Sequence, residues 1–254
     1  MPAKGPCPAV YGPVHSRRHG LSLGINLGAS EKKVCTWGCV YCQCGFGARD
    51  VPREDEITSA AAVIASLRES LGTGTRPDSV TFAGNSEPTA HPEFLEIVRQ
   101  ARKLKYAMRA TWALNVLSNG SELDKNAVVA ACDLLDEAWI KLDCATDELF
   151  RRLNRPVFRV GSVHEHVARI KRLKEPRIQT LLWRSQAHPQ TSNFSEENLH
   201  ALLNAYSEIR PVEIHLTTVK RETALAGLQP VSAGDLDAFA ARIRELGLKV
   251  NLFP

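Results

Sequence analysis

The chain has 254 residues, 44% hydrophobic and 24% charged, enough for one large α/β domain with a buried core. Its apolar runs are short and broken by charges and residues 1–8 are polar, which argues against a membrane-spanning helix or a secretory leader; a soluble, cytoplasmic protein is expected. A net charge of +4 is mild and does not by itself mark a nucleic-acid binder.

Seven cysteines is an odd number, and Cys35, Cys39, Cys42 and Cys44 fall within ten residues, so reduced thiols or metal thiolates are expected rather than a disulfide framework. With no repeat, low-complexity tract or long linker, the sequence is read as a single domain over residues 1–254. An N-terminal segment and first strand occupy 1–28, a cysteine loop 29–50, and a C-terminal cap and helix 217–254.

In chain order, apolar runs predict strands at 21–27, 80–83, 114–118, 138–142, 178–182 and 212–216. Helical spacing lies between them. Val63, Ile64, Leu67 and Leu71 share a face behind a Thr58 cap, and Phe94, Ile97, Val98, Ala101 and Leu104 share one in a helix opened by Pro92. The spacing recurs in Val128, Cys132 and Leu135, in Val167, Ile170 and Leu173, in Leu199, Leu202, Leu203 and Tyr206, and in Leu236, Phe239, Ile243 and Leu246. Six strand–helix units imply parallel strands with right-handed crossovers, as a doubly wound sheet or a barrel two units short of eight. In either case functional groups belong on the loops after the strands.

Cys35, Cys39 and Cys42 follow the first strand with spacings of three and two residues, which lets one loop wrap a cube of iron and sulfide. Three ligands leave one iron open, as a catalytic metal site requires. The alternative is a structural zinc with Cys44 as fourth ligand, although zinc ribbons use two separated cysteine pairs and no second pair exists here. Cys7, Cys44, Cys132 and Cys144 are read as structural, Cys132 on an apolar stripe.

After the second strand, the turn Gly84-Asn85-Ser86-Glu87 exposes backbone to a ligand. After the third comes the common turn Asn119-Gly120. Alternation puts Lys141 and Asp143 on one face at the loop end of the fourth strand, marking them as active-site candidates. Gln179, Thr180, Glu213 and His215 are further interior candidates, each equally a satisfied core group. Residues 151–177 carry nine Lys or Arg (Arg159 among them) against Glu165 and Glu175, a stretch suited to a polyanion or to a solvated helix face.

Cys35-x3-Cys39-x2-Cys42, with Tyr41 before the last cysteine, resembles the signature of the radical S-adenosylmethionine (SAM) superfamily. That resemblance implies a partial (β/α)6 barrel of parallel strands and a 4Fe-4S cluster whose open iron chelates SAM. One-electron reduction then yields a 5'-deoxyadenosyl radical for hydrogen abstraction. It further implies that Tyr41, Gly84, Asn85, Ser86, Glu87, Asn119, Asp143 and Gln179 surround the cofactor, Glu87 at its amino group, with Lys141 and Asp143 as catalytic residues. Ser86 replaces a usual glycine.

The block from Val10 to Asn26, with Lys33, Lys141-Leu142-Asp143 and Asn154-Arg155-Pro156, is similar to stand-alone radical SAM proteins related to the core domain of wyosine-base synthases. His15 and His19 depart from that pattern and are read as surface or edge positions. No flavodoxin-like domain is seen, so the resemblance implies an external electron donor of flavodoxin or ferredoxin type.

Three functions follow from the sequence: a radical SAM enzyme acting on an RNA base or protein side chain, an activase installing a glycyl radical on a partner, or a non-enzymatic iron–sulfur or zinc module. Loops at 183–194 and 217–231 are expected to cover the site in the first.

Overall fold

The computed structural model describes residues 8–29, 32–49, 52–157 and 161–254. Cys7 and Arg159 lie outside these. The chain divides into two compact units, one drawn from Met1–Thr36, Arg49–Ser118 and Glu122–Ala138, the other from Trp37–Ala48, Asn119–Ser121 and Trp139–Pro254. No helix among the described residues is long and apolar enough to cross a membrane.

In the first unit, β1 (Val10–Ser16) runs antiparallel to β2 (Gly20–Ile25), which pairs in parallel with β3 (Ser79–Phe82), itself parallel to β4 (Ala113–Ser118). Gly20 closes the β1–β2 turn with a positive φ of 65°, a conformation that costs glycine little. All four β3 residues are buried, as expected of a strand covered on both faces. Helix α1 (Ala60–Gly72) buries Val63, Ile64, Leu67 and Leu71, and α2 (Phe94–Ala107) buries Phe94, Ile97, Val98 and Ala101, the faces the spacing predicts. Helix α3 (Asn126–Asp133) buries Val128, Ala131 and Cys132.

Both predicted helix starts are corrected. Ser59, not Thr58, caps α1, its hydroxyl accepting from Ala62 N at 3.4 Å, because the Thr58 backbone is tied to Leu27 (3.0 Å). Pro92 stands ahead of α2 rather than in its first turn. Residues Pro88–Ala90 form a separate 3-10 turn, and His91 Nδ1 takes the Glu93 N–H at 3.1 Å as α2 begins.

In the second unit, Trp139–Lys141 of β5 (Glu137–Lys141) pair in parallel with β6 (Arg177–Ser185), followed in order by β7 (Glu213–Thr218) and β9 (Val250–Phe253), with short β8 (Leu228–Pro230) antiparallel to the end of β6. A short turn α4 (Asp147–Leu149) runs into a π-helical turn, Phe150–Asn154. Helices α5 (Val163–Ile170), α6 (Glu196–Ile209) and α7 (Ala233–Glu245) then cover the strands. Each is capped by a serine (Ser162, Ser195 and Ser232) whose hydroxyl accepts the N–H three residues on.

The six predicted strands exist within one to three residues of their expected ends, and β1, β8 and β9 add to them. The expected loop at 183–194 is in part strand, since Trp183 and Ser185 pair with Pro230 and Leu228 of the expected loop at 217–231. His15 is exposed on β1, but His19 is corrected from a surface position: its side chain is 4% exposed, with Nδ1 3.7 Å from Glu137 and 3.4 Å from Asn115 Nδ2.

Candidate active site

In the second unit the cysteine loop is held by its backbone. Gly38 N donates to Arg155 O (3.0 Å) and Val40 N to Leu153 O (2.9 Å), while the Val40 and Cys42 carbonyls accept from Leu225 N (2.8 Å) and Ala224 N (3.0 Å). Arg155 takes a left-handed conformation, φ 49°, where the π-helical turn ends, and Trp37 bridges Pro156. Trp37 is buried edge-on against Phe150 (5.1 Å) and His166 (5.2 Å), which anchors the loop by packing as well. Cys42 N donates to Cys39 O at 3.1 Å, so these two cysteines share one tight turn. Cys39 is buried and Cys42 half-buried.

Beside that turn lies a saturated carboxylate. Asp143 Oδ1 accepts from the Lys141 ammonium (2.8 Å) and Leu181 N (2.8 Å), and Oδ2 accepts from Tyr41 Oη (2.5 Å) and Asn154 Nδ2 (3.3 Å). Its carbonyl takes amide donors from Asn193 (2.9 Å) and Asn198 (3.1 Å). Alternation does place Lys141 and Asp143 together, as a buried ion pair rather than a surface one. Lys141 Nζ also stands 5.1 Å from the Tyr41 ring centre, and the Trp183 ring centre lies 5.1 Å from it. Burial, then the Asp143 charge and Cys39, push the Tyr41 phenol well above its ordinary pKa.

Asn154 is fully buried, and its Nδ2 lies 3.7 Å from Cys39 Sγ. Its Oδ1 has no hydrogen-bond partner among the described residues; the same is true of Nε2 of buried Gln179, which sits in register with Lys141. Thr180 points the other way and is satisfied by Leu142 O (2.7 Å) and Tyr206 Oη (2.6 Å), so it is a core group. His215 stacks on Trp139 at 3.5 Å with Glu213 3.0 Å away, and Glu213 also pairs with Lys249, so these two form a structural cluster. Asn119 turns its Oδ1 to Ser121 N (2.9 Å).

In the first unit the residue before Cys35 is stitched to the Gly84 turn. Val34 N donates to Asn85 O (2.9 Å) and Glu87 N to Val34 O (2.8 Å), while Cys35, half-buried, takes Arg49 N on its carbonyl (2.9 Å). Glu87 Oε1 accepts from Thr89 N (3.1 Å), Thr89 Oγ1 (2.6 Å) and Ser118 Oγ (2.7 Å). Gly84 is required because a Cβ would enter the Asn26 side chain, whose Oδ1 accepts from Asn85 N (3.3 Å) and Gly28 N (3.3 Å). Asn85 Nδ2 donates to Lys32 O (3.2 Å), and the buried Ser86 hydroxyl has no hydrogen-bond partner among the described residues.

Among the described residues no three His, Cys, Asp or Glu side chains stand close enough to hold one metal ion. A zinc ion would need its thiolates gathered at about 2.3 Å, whereas a four-iron cube takes each thiolate at a different iron. Three cysteines on one loop, none in a disulfide, with an amide N–H directed at Cys39, are a soft donor set that fits an iron–sulfur cluster.

Cys44 is exposed rather than packed. Cys132 and Cys144 are buried, and burial pushes their thiols up, that of Cys132 to about 12. Much of the basic stretch is paired locally: Arg151 with Asp147, Arg152 with Glu148, Arg169 with Glu165, Lys171 with Glu208 and Arg177 with Glu175.

The chain resembles several solved structures. It matches a radical SAM methyltransferase from Sphaerobacter thermophilus with a TM-score of 0.62 and 13% identity over 91% of this chain and 65% of that one. It matches Streptococcus suis SuiB bound to S-adenosylmethionine at 0.64 and 16%, over 92% and 50%, and archaeal TYW1 at 0.52 and 14%, over 88% and 71%. The chain therefore spans less than two thirds of the methyltransferase and half of SuiB. At these identities the likeness is one of fold: the chain has the fold of the radical SAM enzymes, the partial barrel of parallel strands expected from the sequence. By sequence it is 28% identical over 226 residues to a UPF0026 protein of Helicobacter pylori strain J99, covering 87% of this chain and 70% of that protein. No family model matches.

Proposed function

We propose that this chain is a radical SAM enzyme in which Cys35, Cys39 and Cys42 hold a 4Fe-4S cluster with one open iron, where SAM binds. When bound and reduced, the cluster supplies the electron that splits SAM into methionine and a 5'-deoxyadenosyl radical, which takes a hydrogen atom from the substrate. The substrate is proposed to be an RNA base or a protein side chain. The electron comes from an external donor of flavodoxin or ferredoxin type.

The chain's own contribution is position and exclusion of water. Lys141 fixes Asp143, which in turn orients Tyr41 and Asn154 beside Cys39. With these three donors and the Leu181 N–H on its oxygens, Asp143 serves to position its neighbours rather than to move a proton, leaving the Lys141 ammonium as the group able to meet substrate. Gln179 Nε2 and Ser86 Oγ, buried without hydrogen-bond partners among the described residues, are suited to polar atoms of a bound ligand. Glu87, in the turn whose backbone joins Val34, is the carboxylate proposed to receive the amino group of SAM.

The observation that carries this reading is the three-cysteine loop, whose Cys39–Cys42 turn is clamped through Gly38, Val40 and Cys42 in a chain with the radical SAM fold. The test is anaerobic reconstitution followed by a 5'-deoxyadenosine assay on the wild type and Cys39→Ala. Product from the wild type alone supports it. Equal product from both, or none from either under a strong reductant, contradicts it.

A further inference from the structure

We infer that Asn154 is a positioning residue that holds an N–H against the Cys39 sulfur and so sets how readily the cluster accepts its electron, a role that rests on the function proposed above. The distance is fixed by main chain as well as side chain. Leu153 O and Arg155 O, flanking Asn154, accept from Val40 N and Gly38 N, flanking Cys39, so two short backbone bonds clamp the pair in register.

The orientation of the amide follows from its neighbours. Nδ2 has two hydrogens and two negative or electron-rich acceptors, Cys39 Sγ at 3.7 Å and Asp143 Oδ2 at 3.3 Å. The flipped amide would set its oxygen against a carboxylate and a thiolate, both acceptors. Asp143 cannot turn away to relieve such a clash, because Lys141, Leu181 N and Tyr41 already hold it. The cost of this orientation is visible: Oδ1 of a fully buried residue has no hydrogen-bond partner among the described residues.

An N–H directed at a ligating sulfur stabilises negative charge there. In accepting one electron, which the flavodoxin- or ferredoxin-type donor loses, the cluster becomes more negative, so the N–H favours the reduced form and raises the reduction potential. Removing the donor lowers the potential. Replacing it with a carboxylate lowers it further.

The experiment is an anaerobic redox titration of reconstituted wild type, Asn154→Leu and Asn154→Asp, followed by electron paramagnetic resonance, with iron counted in each. The expected result is a potential shifted negative in Asn154→Leu and further negative in Asn154→Asp. An unchanged potential in Asn154→Leu with its iron retained overturns the assignment. Should that variant fail to load, wild type carrying side-chain 15N-asparagine decides the matter: pulsed resonance of the reduced cluster should show coupling to a side-chain amide nitrogen, and its absence overturns the assignment. A wild type that takes up no four-iron cluster overturns instead the proposed function, and this role with it.

Discussion

The two units each bury a carboxylate, and they hold it in different ways. In the second, Asp143 shares its oxygens among an ammonium, a backbone N–H, a phenol and an amide. In the first, Glu87 gathers two hydroxyls and a backbone N–H on a single oxygen. The difference lies in what each can afford to lose. A buried anion stripped of its cation is left uncompensated, while one stripped of a hydroxyl loses a single hydrogen bond and keeps its other donors.

The largest expected effect is therefore at Lys141. Lys141→Met leaves the enclosed Asp143 carboxylate without its cation, and the variant should lose on the order of 3–5 kcal/mol in a urea unfolding measurement. A loss below about 1 kcal/mol would mean that the pair is not the keystone of its unit.

A second contrast concerns the buried histidines. Burial, reinforced by the Arg169 charge, pulls His166 down to about 4, while its Nε2 bonds Lys141 O at 2.8 Å. The folded protein thus keeps His166 neutral where the unfolded chain protonates near its ordinary value of about 6.5. Its contribution is complete above about pH 6.5 and is lost as pH falls toward 4, about 3 kcal/mol in all. His91, in the first unit, is lowered by burial too, though the Thr58 carbonyl and Glu93 oppose the shift. His166→Phe should accordingly flatten the acid limb of the stability curve more than His91→Phe, and a larger effect at His91 would reverse the comparison.

On the Glu87 side, Ser118→Ala removes one hydroxyl donor to Oε1 and should cost about 1 kcal/mol, read as a shift in urea midpoint. The smallest effect is at a helix end. Ser59→Ala should cost about 0.5–1 kcal/mol by removing the α1 cap. Thr58→Ala should cost less, since Thr58 contributes its backbone to Leu27 and not its hydroxyl to the helix.

What was legible in the sequence follows from how local each signal is. The buried faces of α1 and α2 and the six parallel strands were readable because period 3.6 and short apolar runs repeat over many residues. Strand β1 was not, because Gly12-Pro13 interrupts its alternation and its pairing with β2 shifts register between Tyr11 and Val14. Strands β8 and β9 are three and four residues long, too short to carry a pattern. The shared face of Lys141 and Asp143 was readable from alternation alone. Asn154, Asn193 and Asn198, which complete that site, were not: they return to Asp143 from later turns and helices, and local spacing does not encode that return. For Asn154 the sequence held a hint in Asn154-Arg155-Pro156, whose Arg155 turns the chain back onto Gly38.

The most direct test of the central claim is a count of iron and sulfide in the anaerobically reconstituted protein, with the resonance spectrum of its reduced form recorded before and after adding SAM. About four irons and four sulfides per chain, lost in Cys39→Ala, and a spectrum that SAM alters, are the predicted result. One zinc with no iron, or a cluster whose spectrum is indifferent to SAM, would contradict it.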